Sequence, residues 1–225
     1  MDDLFGNPHV NAALYFTDQG QYLFKYKNLD SWRNNPTQGE SVSKTLREPE
    51  VCAAFTRKTT DSGWLQNGII RVGNNSNGSW YVFWSRPTKA MITFWDESLV
   101  IPIPATVLIS IRKEFFLYAL ATDTFNPQRA AFHAPFPNVH VDGRICWGKN
   151  ASPKAGGDHA QEAWNLFFQS PFNGDLVAGK STKFPDDIRK GYPALAGKKE
   201  YPVKTLKPLG ESIGKVIDHL IGRDY

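Results

Sequence analysis

Cysteine is scarce in this sequence. Cys52 and Cys146 are the only two in 225 residues, and they stand far apart. Nothing resembles the paired framework that staples small secreted domains, which points to a reducing compartment. Long apolar runs are missing too. No stretch reaches the roughly 18 residues of a membrane span, and the longest, near Val107–Ala121, is broken by Arg112, Lys113 and Glu114. The opening MDDLFGNPHV is acidic and lacks the apolar segment of an export signal, so a cytoplasmic setting without membrane contact is expected. The Asn-x-Ser triplets at Asn74, Asn77 and Asn150 then carry no weight. The third absence is a charge excess. Twenty-six Lys and Arg against 22 Asp and Glu leave a net +4. The positive residues are dispersed, which argues against a nucleic-acid groove and leaves an acidic protein partner open.

What is present is enough to fold. Hydrophobic residues make up 41% and aromatics 13%, with seven Trp, so disorder is excluded and a sizeable core is expected. Ala12–Thr17 and Tyr22–Tyr26 flank a Gly-containing turn and read as a hairpin. Ser41–Arg57 has helical composition, interrupted or restarted at Pro49, with Cys52 as a small core residue inside it. Strand candidates follow at Gly68–Val72, Trp80–Trp84, Met91–Trp95, Ala105–Ile111 and Phe115–Leu120. Residues 73–79 between the first two are a turn cluster. Pro102 and Pro104 suit a sheet edge or a strand entrance. Short successive strands with tight turns imply an antiparallel meander. Asn126–Asn150 reads as a long ordered loop without a clear period, of the kind that often serves function. Asp158–Gln169 reads as a helix with Asp158 at its N-cap. Residues 176–208 read as irregular, and Glu211–Gly222 as an amphipathic helix that docks on the core. The fold class expected is α+β. The expected organisation is an N-terminal extension over residues 1–60 (hairpin plus helix) packed on the core, a core at 61–180, and a C-terminal extension at 181–225.

One segment of the long loop carries chemistry: Pro135-Phe136-Pro137-Asn138-Val139-His140-Val141-Asp142-Gly143-Arg144-Ile145-Cys146-Trp147-Gly148. A thiol is the best side-chain nucleophile near neutral pH, and a thioester formed on it stays reactive towards amines and thiols. Attack on a thioester builds negative charge on the carbonyl oxygen, which an amide donor such as Asn138 can stabilise. Pro137 stiffens the approach to Asn138, and Asp142-Gly143 is a turn signal able to fold Cys146 back towards it. Spacing alone leaves a second reading open, a buried cysteine in a Pro-rich loop.

Other motifs compete. Gly174–Ser181 matches the P-loop pattern G-x-x-x-x-G-K-[ST], with Lys180 in the phosphate-binding position. A working P-loop needs a strand before it and a helix after it, whereas a helix precedes this one and Pro185 follows it. His133, His140 and Cys146 fall short of the four closely paired ligands of a structural zinc site, and a papain-like pairing of Cys146 with a distant His has no local signature.

On these residues the segment resembles the ubiquitin-conjugating enzymes. Their signature is His-Pro-Asn, a short turn with Gly, then Ile or Val, Cys and usually Leu, with Asn eight residues before the catalytic Cys. Asn138 also precedes Cys146 by eight, and Pro137, Gly143 and Ile145 fall in register. Ala134–Asn138 with Gly143–Gly148, the strands of 101–120, and Ser170-Pro171-Phe172-Asn173 look similar to the divergent prokaryotic ubiquitin-conjugating family D. That family includes the B protein of PRTRC systems on plasmids and mobile elements. The resemblance covers about residues 60–180. Phe136 replaces the usual His and Trp147 the usual Leu. The resemblance implies a ubiquitin-conjugating fold, with Cys146 as nucleophile and Asn138 as oxyanion donor. It implies three partners: a ubiquitin-like protein, a ThiF-like activating enzyme that delivers it, and an acceptor protein. It implies no cofactor, because nucleotide is consumed upstream. It also places Asp175 near where an acidic residue assists the incoming lysine; an ordinary turn carboxylate is the other reading. The alternative function is a non-catalytic module that binds the modifier or activating enzyme within a plasmid-encoded system.

Overall fold

The computed structural model describes residues 12–17, 20–28, 31, 33, 40–51, 65–75, 78–95, 97–148, 152–153 and 159–222. The chain divides into two compact units, Met1–Gly63 and Trp64–Tyr225.

In the first unit, β1 (Ala12–Phe16), β2 (Tyr22–Lys27) and β3 (Ser41–Leu46) form one antiparallel sheet in chain order. The expected hairpin is β1–β2, with Leu14 opposite Phe24, and Gly20 takes a φ of +71° at the turn. The helix expected from Ser41 is corrected: Ser41–Leu46 is a strand, and helix begins only at 48–51. Val42, Lys44 and Leu46 alternate with Ser41, Ser43 and Thr45, a period of two. Pairing of all six residues with β2 outweighs a weak helical composition. Pro49 then sits in a first helical turn, where its missing N–H costs nothing. Cys52 and the rest of that expected helix lie outside the described residues.

The second unit is built around its most apolar stretch. β8 (Ala105–Ile111) and β9 (Glu114–Leu120) pair along their full length, and every residue of β8 is buried. A strand buried on both sides must offer apolar groups to both. Leu108, Phe115, Leu117 and Ala119 belong to one core, and Val107, Ile109, Ile111, Phe116, Tyr118 and Leu120 to the other. Helix α1 (Ala160–Gln169) covers the first core with Ala160, Ala163, Trp164, Phe167 and Phe168. Helix α2 (Ile213–Ile221) covers the second with Ile213, Val216, Ile217 and Leu220. Each large apolar side chain so buried contributes roughly 1.5–3 kcal/mol relative to exposure. Trp164 Nε1 donates to Thr106 Oγ1 at 2.9 Å, fixing α1 to β8 through a buried polar pair. The architecture is α+β, as expected, and mostly antiparallel.

The sheet runs β11-β10-β9-β8-β5-β4, adding β4 (Ile69–Asn75), β5 (Gly78–Ser85), β10 (Ala130–His133) and β11 (Pro208–Ser212). This corrects the simple meander. Between β5 and β8 the chain leaves the sheet as a separate hairpin, β6 (Thr88–Phe94) with β7 (Glu97–Ile103). Ile92, Phe94, Ile101 and Ile103 fold it over the α1 side of the sheet, and Pro102 lies within β7, a strand paired on one side only. The turn cluster at 73–79 is also corrected, because the strands run on through Asn75 and Gly78. Gly73 is a strand residue opposite Trp80, and a Cβ there would sit 2.1 Å from the Trp80 ring. The expected long loop contains β10, and α1 begins at Ala160 with His159 in the N-cap position, not Asp158. Residues 176–208 are irregular with short 3-10 turns. Ser212 caps α2 by accepting from Lys215 N, so that helix starts two residues later than expected.

Candidate active site

Past β10, the loop from Ala134 takes over the same edge of β9. Ile145 N donates to Phe115 O at 2.7 Å, and Leu117 N donates to Gly143 O at 2.8 Å. Between these contacts the chain turns tightly. Gly143 N donates to His140 O at 3.0 Å, His140 N to Arg144 O at 2.8 Å, and Arg144 N to Asp142 Oδ1 at 3.0 Å. Gly143 has a φ of +88°, and a Cβ there would lie 2.4 Å from the Tyr118 ring, whose hydroxyl donates to Asp142 O at 2.5 Å. Gly143→Ala is therefore expected to lower the unfolding free energy by roughly 2 kcal/mol through overpacking and left-handed strain, measured by urea unfolding.

The turn returns Cys146 to Asn138. Val139 and Ile145 form an antiparallel bridge, and Cys146 N donates to Asn138 O at 2.7 Å. Cys146 is a free, exposed thiol. Asn138 has a φ of +60°, a left-handed backbone that Asn tolerates better than most residues. Its own N–H donates to Asp175 O at 3.3 Å, and its Nδ2 makes only a long contact of 3.5 Å to Pro171 O. Asp175 is held by Asn173, whose Nδ2 donates to Asp175 Oδ2 at 2.8 Å while its Oδ1 accepts from Asp175 N at 2.9 Å. Cys146, Asn138, Asp175, Pro171 and Trp147 line one pocket of about 160 Å³. All three residues named for this chemistry thus meet in one place.

The loop is anchored from beneath. Phe136, fully buried, packs at 5.0 Å from Phe168 and 6.0 Å from Phe167, both on α1, and stacks at 6.2 Å on Phe172. An aromatic nest of this kind suits Phe where the ubiquitin-conjugating signature has His. Trp147 packs edge-on against Phe115 and Phe167, filling space that a Leu would leave empty. Buried Tyr192 donates its hydroxyl to Pro135 O at 3.0 Å.

Lys180 resolves the P-loop question. Its segment follows α1 and not a strand, and what succeeds it is irregular chain with short 3-10 turns from Ile188 and no α-helix before α2. Lys180 is 2% exposed, and its ammonium donates to Val139 O, and to His140 O at 3.2 Å. The side chain is consumed in holding the loop between Asn138 and Cys146, a role that the sequence signal did not suggest. Burial pulls its pKa down to about 8, with Asp142 opposing and Lys207 reinforcing. The folded chain thus sheds this proton before the unfolded one does. Between about pH 8 and the ordinary lysine value near 10.4 the unfolded state binds more protons, and the contribution of Lys180 to stability rises with pH. Lys180→Met leaves two loop carbonyls without their donor and is expected to cost about 2 kcal/mol at pH 7. Urea unfolding of both proteins should show that difference widening above pH 8; a difference independent of pH would contradict the burial argument.

His133 also has its pKa lowered, by burial and then by Lys180 and Lys207. Among the described residues no three His, Cys, Asp or Glu side chains gather as a metal site requires. Among them, too, no helix is long and apolar enough to cross a membrane.

The family profile described as Prokaryotic E2 family D matches residues 42–209. The chain belongs to this family, E2 being the ubiquitin-conjugating class. The match reaches further in both directions than the 60–180 covered by the visible motifs, taking in β3 from Val42 onward and the first two residues of β11. No curated protein and no solved structure matches the chain. Membership associates it with ubiquitin-like conjugation and transferase chemistry. In general terms it also implies partnership with a ubiquitin-like protein and its activating enzyme.

Proposed function

We propose that Cys146 accepts the C-terminal carbonyl of a ubiquitin-like protein as a thioester and passes it to an acceptor amine, on a ubiquitin-conjugating-type fold. The observation that carries this reading is the shared pocket. An exposed thiol, an amide and a carboxylate converge on one small opening, on a loop fastened by Lys180, Tyr192 and the β9 edge. In the first step the Cys146 thiolate attacks the thioester of a ThiF-like activating enzyme. A C–S bond to Cys146 forms, the C–S bond to the activating cysteine breaks, and that cysteine leaves as a thiolate. In the second step an acceptor amine attacks the same carbonyl. The new amide forms, the Cys146 C–S bond breaks, and the amine proton is lost.

Asn138 is the donor available to the oxyanion in this scheme. The Cys146 N–H is already committed to Asn138 O, whereas Asn138 Nδ2 has only its long contact to Pro171. Asp175, fixed by Asn173, orients the amine and draws its proton. The domain needs no cofactor in either step. The test is reconstitution: the protein, a ubiquitin-like protein, a ThiF-like activating enzyme and ATP, resolved on a non-reducing gel. An adduct cleaved by thiol reductant supports the scheme. Tight binding of the ubiquitin-like protein without any adduct would favour the non-catalytic module.

A further inference from the structure

A large cavity in the second unit lies away from Cys146. It is a groove of about 1160 Å³ where β5, β7 and β9 end and β6 and β8 begin. That volume exceeds the about 300–1,000 Å³ of most small-molecule sites. Along β9 the Cys146 loop contacts Phe115 and Leu117, whereas the groove begins at Leu120, about 10 Å further along at strand rise. The two openings are separate.

The lining has two parts. The exposed apolar surface of the floor comes from Pro87, Ala121 and Val203, with buried Ile103, Leu120 and Tyr201 packed behind it. The rim carries four exposed cations, Arg86, Lys89, Arg129 and Lys199, against two carboxylates, Asp123 and Glu200. Among the described residues none of the four cations is ion-paired; the Arg86 guanidinium lies over the Trp84 ring at 5.6 Å. Unneutralised cations around a low-dielectric floor focus positive potential into the groove. Four cations against two carboxylates leave this rim with a net charge of +2.

We infer that this groove docks an extended, acidic segment of a protein partner, with carboxylates on the rim and apolar side chains on the floor. Two observations select a peptide over nucleic acid. The floor presents no exposed aromatic faces for stacking bases, and Asp123 and Glu200 repel a continuous phosphate backbone while tolerating spaced carboxylates. The inference does not depend on the chemistry of Cys146.

The test uses the full chain and a fluorescein-labelled peptide of alternating Asp and Leu, titrated by fluorescence anisotropy. The wild type should bind it more tightly than an alternating Lys and Leu peptide, with affinity falling as salt rises. Arg86→Glu with Lys89→Glu should weaken binding about tenfold or more, about 1.4 kcal/mol in binding free energy. Lys113→Glu, at the opposite end of the β8–β9 hairpin, should change it less than twofold on the screening argument, and Cys146→Ala should not change it at all. Circular dichroism checks that the variants fold alike. No binding of the acidic peptide, equal binding of the basic one, tighter binding of a single-stranded oligonucleotide, or equal losses in the rim and Lys113 variants would each overturn the proposal.

Discussion

Cys146→Ala is expected to abolish the thiol-sensitive adduct altogether while leaving the fold intact. The side chain is exposed, so its truncation removes little packing, and the backbone N–H that bonds Asn138 O is retained. Loss of the adduct therefore reports chemistry and not unfolding. Cys146→Ser sharpens the result. A hydroxyl in the same place can trap the carbonyl only as an oxyester, which resists thiol reductant and yields to alkali. The expected pattern on a gel is a reducible band for wild type, none for alanine, and a faint or slow reductant-resistant band for serine. The control is Cys52→Ala, expected to charge like wild type. Charging that survives in Cys146→Ala, or that is lost only in Cys52→Ala, would remove Cys146 from the scheme.

How much of this was legible beforehand depends on how far apart the interacting residues lie. The eight-residue interval from Asn138 to Cys146, with Asp142-Gly143 between, is a local pattern, and the local turn it implies is present. The apolar runs at 105–111 and 115–120 likewise became β8 and β9, because a strand buried on both faces must be apolar at every position. Ser41–Leu46 failed because pairing with β2, decided by residues about twenty positions away, overrode local composition. The excursion of β6–β7 was hidden for a similar reason. The strands themselves are visible, but which neighbour each chooses depends on Phe94, Ile92 and Ile101 meeting the α1 side of the core. Lys180 is the instructive case within the site. Its P-loop-like surroundings drew attention to phosphate, whereas its acceptors are carbonyls some forty residues earlier in the chain. Sequence spacing carries no trace of that contact.

Asn138→Ala is expected to separate the two halves of the proposed cycle. Both steps pass through a tetrahedral oxyanion, but exchange between thioesters uses a strong nucleophile and is nearly balanced in free energy. An amine meets a higher barrier and relies more on the donor. Removing one oxyanion donor costs roughly 10²–10³ in rate where its role has been measured. Charging of the alanine variant should therefore reach the wild-type end point, while single-turnover discharge to free lysine slows roughly 10²-fold, about 2.7 kcal/mol in barrier. The φ of +60° at Asn138 complicates this variant, because Ala tolerates that backbone less well and the loop could shift. Asn138→Asp answers the objection. It keeps the side-chain shape and tolerates the left-handed backbone, yet it replaces the Nδ2 donor with an acceptor whose charge opposes the oxyanion. If the amide acts as a donor, aspartate discharges at least as slowly as alanine. If position 138 serves only to shape the turn, aspartate discharges like wild type and alanine alone is slow. That second outcome would assign Asn138 to the architecture of the loop and leave the oxyanion without its proposed partner.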